Sequence, residues 1–132
     1  MATIFTRIVK GELPAYKVAE TDNYLAFLDI RPMQEGHTLC IPKREVDYYF
    51  DLSDEDLGGL TVFSKRVAKA IKTVVPCERI ATAVLGLEVP HAHVHLVPIQ
   101  TERDFGFGKS TEVSQERMKE LAKLISSAFD SM

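Results

Sequence analysis

Three of the four histidines in this 132-residue chain stand at alternate positions, His91, His93 and His95. On a β-strand a period of two places all three imidazoles on one face and sends Ala92, Val94 and Leu96 to the other. At about 3.3 Å per residue the first and third Cα lie roughly 13 Å apart, a patch suited to one phosphate group or one metal ion. Pro90 and Pro98 bracket the stretch, as befits a short strand ending in turns.

Two chemistries suit such a patch. H-x-H on a strand with a third histidine nearby can ligate zinc, with one position open for water. No acid or cysteine stands at a spacing that obviously completes that shell. Alternatively, a neutral imidazole attacks a phosphoryl centre and carries the covalent adduct, while its neighbours hold its tautomer, neutralise oxyanion charge and assist the leaving group. This second chemistry needs several imidazoles side by side and no metal.

The elements that must position these rings can be read from pattern. Thr3 to Lys10 reads as a short helix with a Thr3 cap, an apolar stripe of Ile4, Phe5, Ile8 and Val9, and a stop at Gly11. Tyr16–Glu20 and Tyr24–Ile30 read as a hairpin about Thr21-Asp22-Asn23. In its second strand Leu25, Phe27 and Asp29 share one face, and Tyr24, Ala26, Leu28 and Ile30 the other. Asp29, an acid closing an apolar strand, is either a solvated strand end or a ligand contact. His37 to Pro42 is a third strand. Ser53 opens a long amphipathic helix, with acids in its first turn and Leu57, Leu60, Val67, Ile71 and Val74 on one stripe. The Gly58-Gly59 pair weakens that helix and makes room for close packing. Ile80–Leu85 is a fourth strand and the histidine stretch a fifth. Ser114–Phe129 is a closing helix that presents Met118, Leu121, Leu124, Ile125, Ala128 and Phe129 on one side.

Between the last strand and this helix lies a polar stretch with Gly106-Phe107-Gly108-Lys109-Ser110-Thr111. It resembles a phosphate-binding loop only superficially: the required first glycine is Arg103, and no apolar strand precedes it. A mobile glycine-rich loop is the better reading. The elements together predict an α+β fold, a five-stranded mostly antiparallel sheet with one central and two terminal helices.

Composition narrows the classes. The length suits one domain, 1–132, with a core over about 4–98 and a C-terminal loop and helix over about 100–129. A net charge of −3 gives no footprint for nucleic acid polymers. Cys40 and Cys77 are too few and too far apart for a disulfide framework or a four-cysteine zinc site, and free thiols suit a cytoplasmic protein. No stretch approaches the roughly 20 apolar residues of a membrane span, and the N-terminus does not read as a signal peptide.

With these residues in view, the sequence resembles the histidine triad (HIT) family, whose motif is His-φ-His-φ-His-φ-φ with φ apolar. His91-Ala92-His93-Val94-His95-Leu96-Val97 matches at every position. Ile4-Phe5 with Ile8-Val9-Lys10-Gly11-Glu12-Leu13-Pro14, Leu25–Pro32 and Gly36–Lys43 are similar to family blocks in the family's order. The resemblance implies a homodimeric nucleotide hydrolase or nucleoside phosphoramidase, acting on a purine nucleotide at its α-phosphate through a nucleotidyl-histidine on His93. It further implies that His95 contacts the phosphate and leaving group, that His91 orients the nucleophile and that His37 supports them. Asp29 would hold the ribose hydroxyls, and Phe5, Ile8, Leu28 and Ile30 would build the base pocket. Dinucleoside polyphosphate hydrolysis, or a nucleotide-binding module with little catalysis, are the alternatives.

Departures from the family pattern sharpen these expectations. Many bacterial members hold a structural zinc partly through C-x-x-C near the N-terminus and a histidine after the Ile-Pro-Lys segment. Here those positions are Thr3, Thr6 and Glu45, so neither metal nor other cofactor is expected. A glutamine often found four residues before the first histidine is Leu87, the preceding loop offers no asparagine, and an arginine after the last proline is Ile99. Lys109 and Ser110, or backbone N–H groups, are the candidates to replace these phosphate contacts.

Overall fold

The computed structural model describes residues 2–132. Its elements run α1 (Ile4–Val9), β1 (Lys17–Glu20), β2 (Tyr24–Leu28), β3 (Thr38–Pro42), α2 (Asp54–Val74), β4 (Arg79–Ala83), β5 (Val94–Ile99) and α3 (Gln115–Asp130), with single 3-10 turns at Tyr49–Asp51 and Glu102–Asp104. The strands form one sheet in the order β1-β2-β3-β5-β4, and every neighbouring pair is antiparallel. The α+β architecture expected from the sequence is therefore the one observed.

Strand periodicity divides the molecule into two apolar layers. Ala26, Leu28, Cys40, Ala92, Val94 and Leu96 face α2 and α3 and form the larger core with Leu60, Phe63, Val67, Ile71, Leu121 and Ile125. The alternate residues Leu25, Phe27, Leu39 and Ile41 face the other way and pack with Phe5 and Ile8 of α1. The histidines belong to this second side. Each helix begins with a hydroxyl cap: Thr3, Ser53 and Ser114 accept from the N–H of Thr6, Asp56 and Arg117. Such caps satisfy N–H groups that the helix leaves unpaired.

Gly59 explains the weak start of α2. A Cβ there would lie 2.0 Å from the Tyr24 hydroxyl, and that hydroxyl donates to the Asp56 carbonyl (3.3 Å). The glycine thus lets α2 approach β2 over an aromatic ring. On α3 the buried stripe is Met118, Leu121, Ala122, Ile125 and Phe129; Leu124, expected inside, is half exposed. Positions three and four apart centre the stripe on Leu121–Ile125, and Leu124 falls on its flank.

The histidine strand begins later than its apolar alternation suggested. The ladder starts at Val94, so His91 and His93 precede it, and it runs past Pro98 to Ile99. Pro98 is tolerated because β3 pairs with β5 only from Val94 to Leu96. The N–H that proline lacks has no β3 acceptor to serve.

Candidate active site

The four histidines converge although they come from different segments. His37 lies immediately before β3, His95 in β5 opposite Leu39, and His91 and His93 on the approach to β5. All four are buried. Ring centroids of His37 and His95 are 5.2 Å apart, and those of His93 and His95 are 5.0 Å apart. Phe5 of α1 stands edge-on to both His91 (5.8 Å) and His93 (5.2 Å).

Hydrogen-bond accounting assigns each ring a tautomer. A carbonyl only accepts and a backbone N–H only donates. His93 Nδ1–H therefore donates to the His91 carbonyl (2.7 Å), which leaves the lone pair of the neutral ring on Nε2. His37 Nδ1 accepts from the Met33 N–H (3.0 Å), so its proton is on Nε2 and is given to His95 Nδ1 (3.0 Å). His95 in turn carries its proton on Nε2. With its ring neutral, His93 thus carries its lone pair on Nε2, while His95 carries a proton there.

Electrostatics keeps the His37 and His95 assignments. Burial pushes the pKa values of His37 and His95 down to about 4, and for His95 the neighbouring His93 and His37 push the same way. Burial also lowers His91, against the raising effect of its bond to the Pro42 carbonyl. Both rings of the His37–His95 pair are consequently neutral in ordinary buffers. Asp29 closes the group: its Oδ2 lies 3.7 Å from His37 Nε2, and its Oδ1 accepts from the Arg31 N–H (2.8 Å). Burial raises the Asp29 carboxyl above its usual range, opposed by that N–H.

Asp29, His37 and His95 bring three ligand-type atoms within 4.8 Å of one another. The Met33 N–H argues against a cation there, because it holds His37 in the tautomer whose Nε2 bears a proton and offers no lone pair. The zinc positions named by the family resemblance fit a metal no better. Thr3, Thr6 and Glu45 are spent on hydrogen bonds with each other and with His91, and threonine hydroxyls are not among the N, S and carboxylate ligands zinc takes.

His93, His95, His37 and Asp29 line a cavity of about 440 Å³ together with Arg31, Leu87, Lys109 and Ser110. That volume lies within the range for small-molecule sites. Lys109 and Ser110, expected as replacement phosphate contacts, are thus brought to the histidines, and Leu87 stands at the rim, 91% exposed. The glycine-rich loop is less free than its composition suggested. Gln34 donates to the Asp104 carbonyl (3.4 Å), and Thr111 donates through N–H to Pro32 and through its hydroxyl to Met33. Between these anchors Phe107 packs edge-on against His95 at 5.0 Å. Sequence reasoning missed Arg31, two residues after Asp29 in the Leu25–Pro32 block, and Phe107, for which no local pattern exists.

The four apolar residues expected around the base do not form one pocket. Phe5 and Ile8 pack on the histidine side. Leu28 is turned into the opposite core under α2 and α3, because it is out of phase with Phe27 and Asp29 on β2. For Leu28 that expectation is corrected: Phe27, 5.3 Å from Phe5, and Leu39 share the layer of Phe5 and Ile8. Ile30 is 76% exposed and borders a shallow groove with Arg31 and residues 110–114.

The structure is thus an antiparallel five-stranded sheet with paired imidazoles on the face opposite α2 and α3. The HIT domain family model matches residues 10–102. The chain is 39% identical over 135 residues to the adenosine 5'-monophosphoramidase of Schizosaccharomyces pombe, an alignment covering 96% of this chain and 98% of that one. It is 40% identical over 103 residues to the corresponding Saccharomyces cerevisiae enzyme, covering 77% and 65%. Among solved structures, a zinc-bound histidine triad protein from Mycobacterium smegmatis superposes with a TM-score of 0.84 at 28% identity over 99% of this chain and 95% of that one. A histidine triad nucleotide-binding protein from Sulfolobus tokodaii gives 0.83 at 28% identity over 97% and 92%. This chain belongs to the HIT family.

Proposed function

We propose that this hydrolase acts on nucleoside 5'-phosphoramidates of the adenosine type, breaking the bond between the α-phosphorus and the amine. The observation that carries the reading is the His93 Nδ1–H bond to the His91 carbonyl, which leaves Nε2 as the attacking nitrogen, with the His95 Nε2–H in the same cavity. Relatives named as adenosine 5'-monophosphoramidases support the substrate class.

In the first step the His93 Nε2 lone pair forms a bond to phosphorus as the P–N bond breaks. The amine departs with a proton from solvent. His93 becomes cationic as it is phosphorylated, and its Nδ1–H bond to the His91 carbonyl strengthens, since hydrogen bonds from charged donors are the stronger ones. His95 Nε2–H, with Arg31 and Lys109, faces the oxygens on which charge develops. Water then attacks phosphorus from the vacated side, releases the nucleoside monophosphate and restores His93.

Asp29 accepts from the ribose hydroxyls, and the base lies against Ile30 and the outer edge of the Phe5–Ile8 layer. The chain works as one domain, as a homodimer, in the cytoplasm. Among the described residues no helix is long and apolar enough to cross a membrane. A purified preparation should release AMP from an adenosine phosphoramidate, and His93→Ala should abolish release. Equal turnover by wild type and His93→Ala would refute the proposal, and faster cleavage of dinucleoside polyphosphates would move it to that substrate.

A further inference from the structure

We infer that Thr3, Thr6 and Glu45 are positioning residues, a closed hydrogen-bond set that fixes the His91 tautomer and, through the His91 carbonyl, orients His93. The residues occupy the very positions where the family resemblance placed zinc ligands, and the hydrogen bonds take over the cross-linking. His91 Nε2–H donates to the Pro42 carbonyl (2.8 Å), so the lone pair of the neutral ring is on Nδ1 and needs a donor. Two hydroxyls approach it, Thr3 Oγ1 at 3.0 Å and Thr6 Oγ1 at 3.4 Å.

Glu45 decides between them. Its Oε1 receives the Thr6 hydroxyl at 2.6 Å and the Thr3 N–H at 2.8 Å. The single proton of Thr6 is thereby committed, and these same two bonds hold the Glu45 carboxyl below its usual range, so it acts as an acceptor. Only Thr3 can donate to His91 Nδ1, while its oxygen accepts from the Thr6 N–H (3.1 Å). The Thr3 hydroxyl also lies 3.4 Å from the Thr6 oxygen, and His91 Nδ1 at 3.0 Å is the nearer acceptor for its proton.

The consequence for His93 follows from where the ladder begins. His91 to His93 precede β5, so their main chain is held by few bonds: the Ala92 N–H to the Val46 carbonyl (2.7 Å) and the His91 N–H to the Val89 carbonyl (2.8 Å). The His91 ring, clamped between Pro42 and Thr3, supplies the remaining restraint. The carbonyl of that same residue is the acceptor that keeps His93 Nε2 free.

The effect on turnover rests on the phosphoramidase reading, whereas the tautomer does not. Nitrogen-15 NMR of the imidazoles therefore comes first, without substrate. The wild type should show His91 protonated at Nε2 and unprotonated at Nδ1, with the Nδ1 resonance displaced by an accepted hydrogen bond. Thr3→Val should move that resonance to the position of an unbonded nitrogen and lower kcat about three- to ten-fold, the worth of one neutral hydrogen bond, with KM unchanged. Thr3→Ser should restore both. Glu45→Ala changes an exposed side chain and decides the matter if Thr3→Val fails to fold. It frees the Thr6 hydroxyl to compete for His91 and should broaden or split the Nδ1 signal. A wild-type His91 protonated at Nδ1, an Nδ1 resonance indifferent to Thr3→Val and Glu45→Ala, or a displaced resonance with kcat unchanged would each overturn the inference. Wild-type inactivity toward phosphoramidates with the stated Nδ1 responses intact would instead refute the substrate reading alone.

Discussion

Acid should destabilise this fold well before its surface carboxylates respond, and the buried His37–His95 pair sets the size of the effect. Both rings titrate near 4 in the folded chain against 6.5 when unfolded. Between those values the unfolded chain binds protons that the folded chain refuses, so stability rises with pH and is lost as pH falls from 6.5 through 4. Each independent ring would cost about 2.4 kcal/mol between roughly pH 7 and 4.5, at about 1.36 kcal/mol per tenfold change in proton activity. Two effects trim the sum. The rings share one hydrogen bond and do not titrate independently, and Asp29, whose carboxyl is raised by burial, contributes with the opposite sign. A net loss of about 2–5 kcal/mol remains, a large share of the ~5–15 kcal/mol that holds a small domain. Urea unfolding followed by circular dichroism should show the midpoint falling by about 0.7–5 M over that pH range, given slopes of about 1–3 kcal/mol per M. His37→Asn has no ring to protonate there, so its midpoint should be lower at neutral pH but should fall only about half as far on acidification. A midpoint independent of pH, or an equal acid loss in His37→Asn, would refute the assignment of neutral rings.

Further outcomes follow from packing and from the site. Gly59→Ala should destabilise by about 1–3 kcal/mol because its Cβ meets the Tyr24 ring, and Tyr24→Ala in the same chain should recover part of that loss in a denaturant titration. Leu28→Ala should cost about 2–5 kcal/mol of stability through its core cavity while leaving nucleotide affinity, measured by calorimetry on the folded variant, within about two-fold of wild type. Asp29→Asn should weaken AMP binding about ten-fold, as expected when hydrogen bonds to a charged acceptor are lost, and should affect 2'-deoxy-AMP less; equal losses for both would remove Asp29 from the ribose.

Much of this was legible in the chain because strands and helices repeat with fixed periods. Alternation separated His91, His93 and His95 from Ala92, Val94 and Leu96, and the same separation holds in the structure even where the ladder has not begun. The hydroxyl caps at Thr3, Ser53 and Ser114 were equally readable, since a cap is a local signal. Leu28 fails the base-pocket expectation for lack of phase, because it points away from Asp29 into the opposite core. The tautomers could not be read at all, because Met33, Pro42 and Thr3 act on rings four to 88 positions away. The seating of Phe107 against His95 likewise depends on how residues 104 and 111 dock on 32–34, a contact between loops with no sequence period.

The proposed reaction turns on which nitrogen carries the phosphoryl group. Rapid acid quenching of the enzyme with an adenosine phosphoramidate, proteolysis and mass spectrometry should find adenylate on the peptide containing residues 91–95, localised to His93. Loss of the adduct in His93→Ala and its persistence in His91→Ala would accord with that assignment. Adenylate localised to His95 or His37, or turnover with no adduct on any histidine, would contradict it.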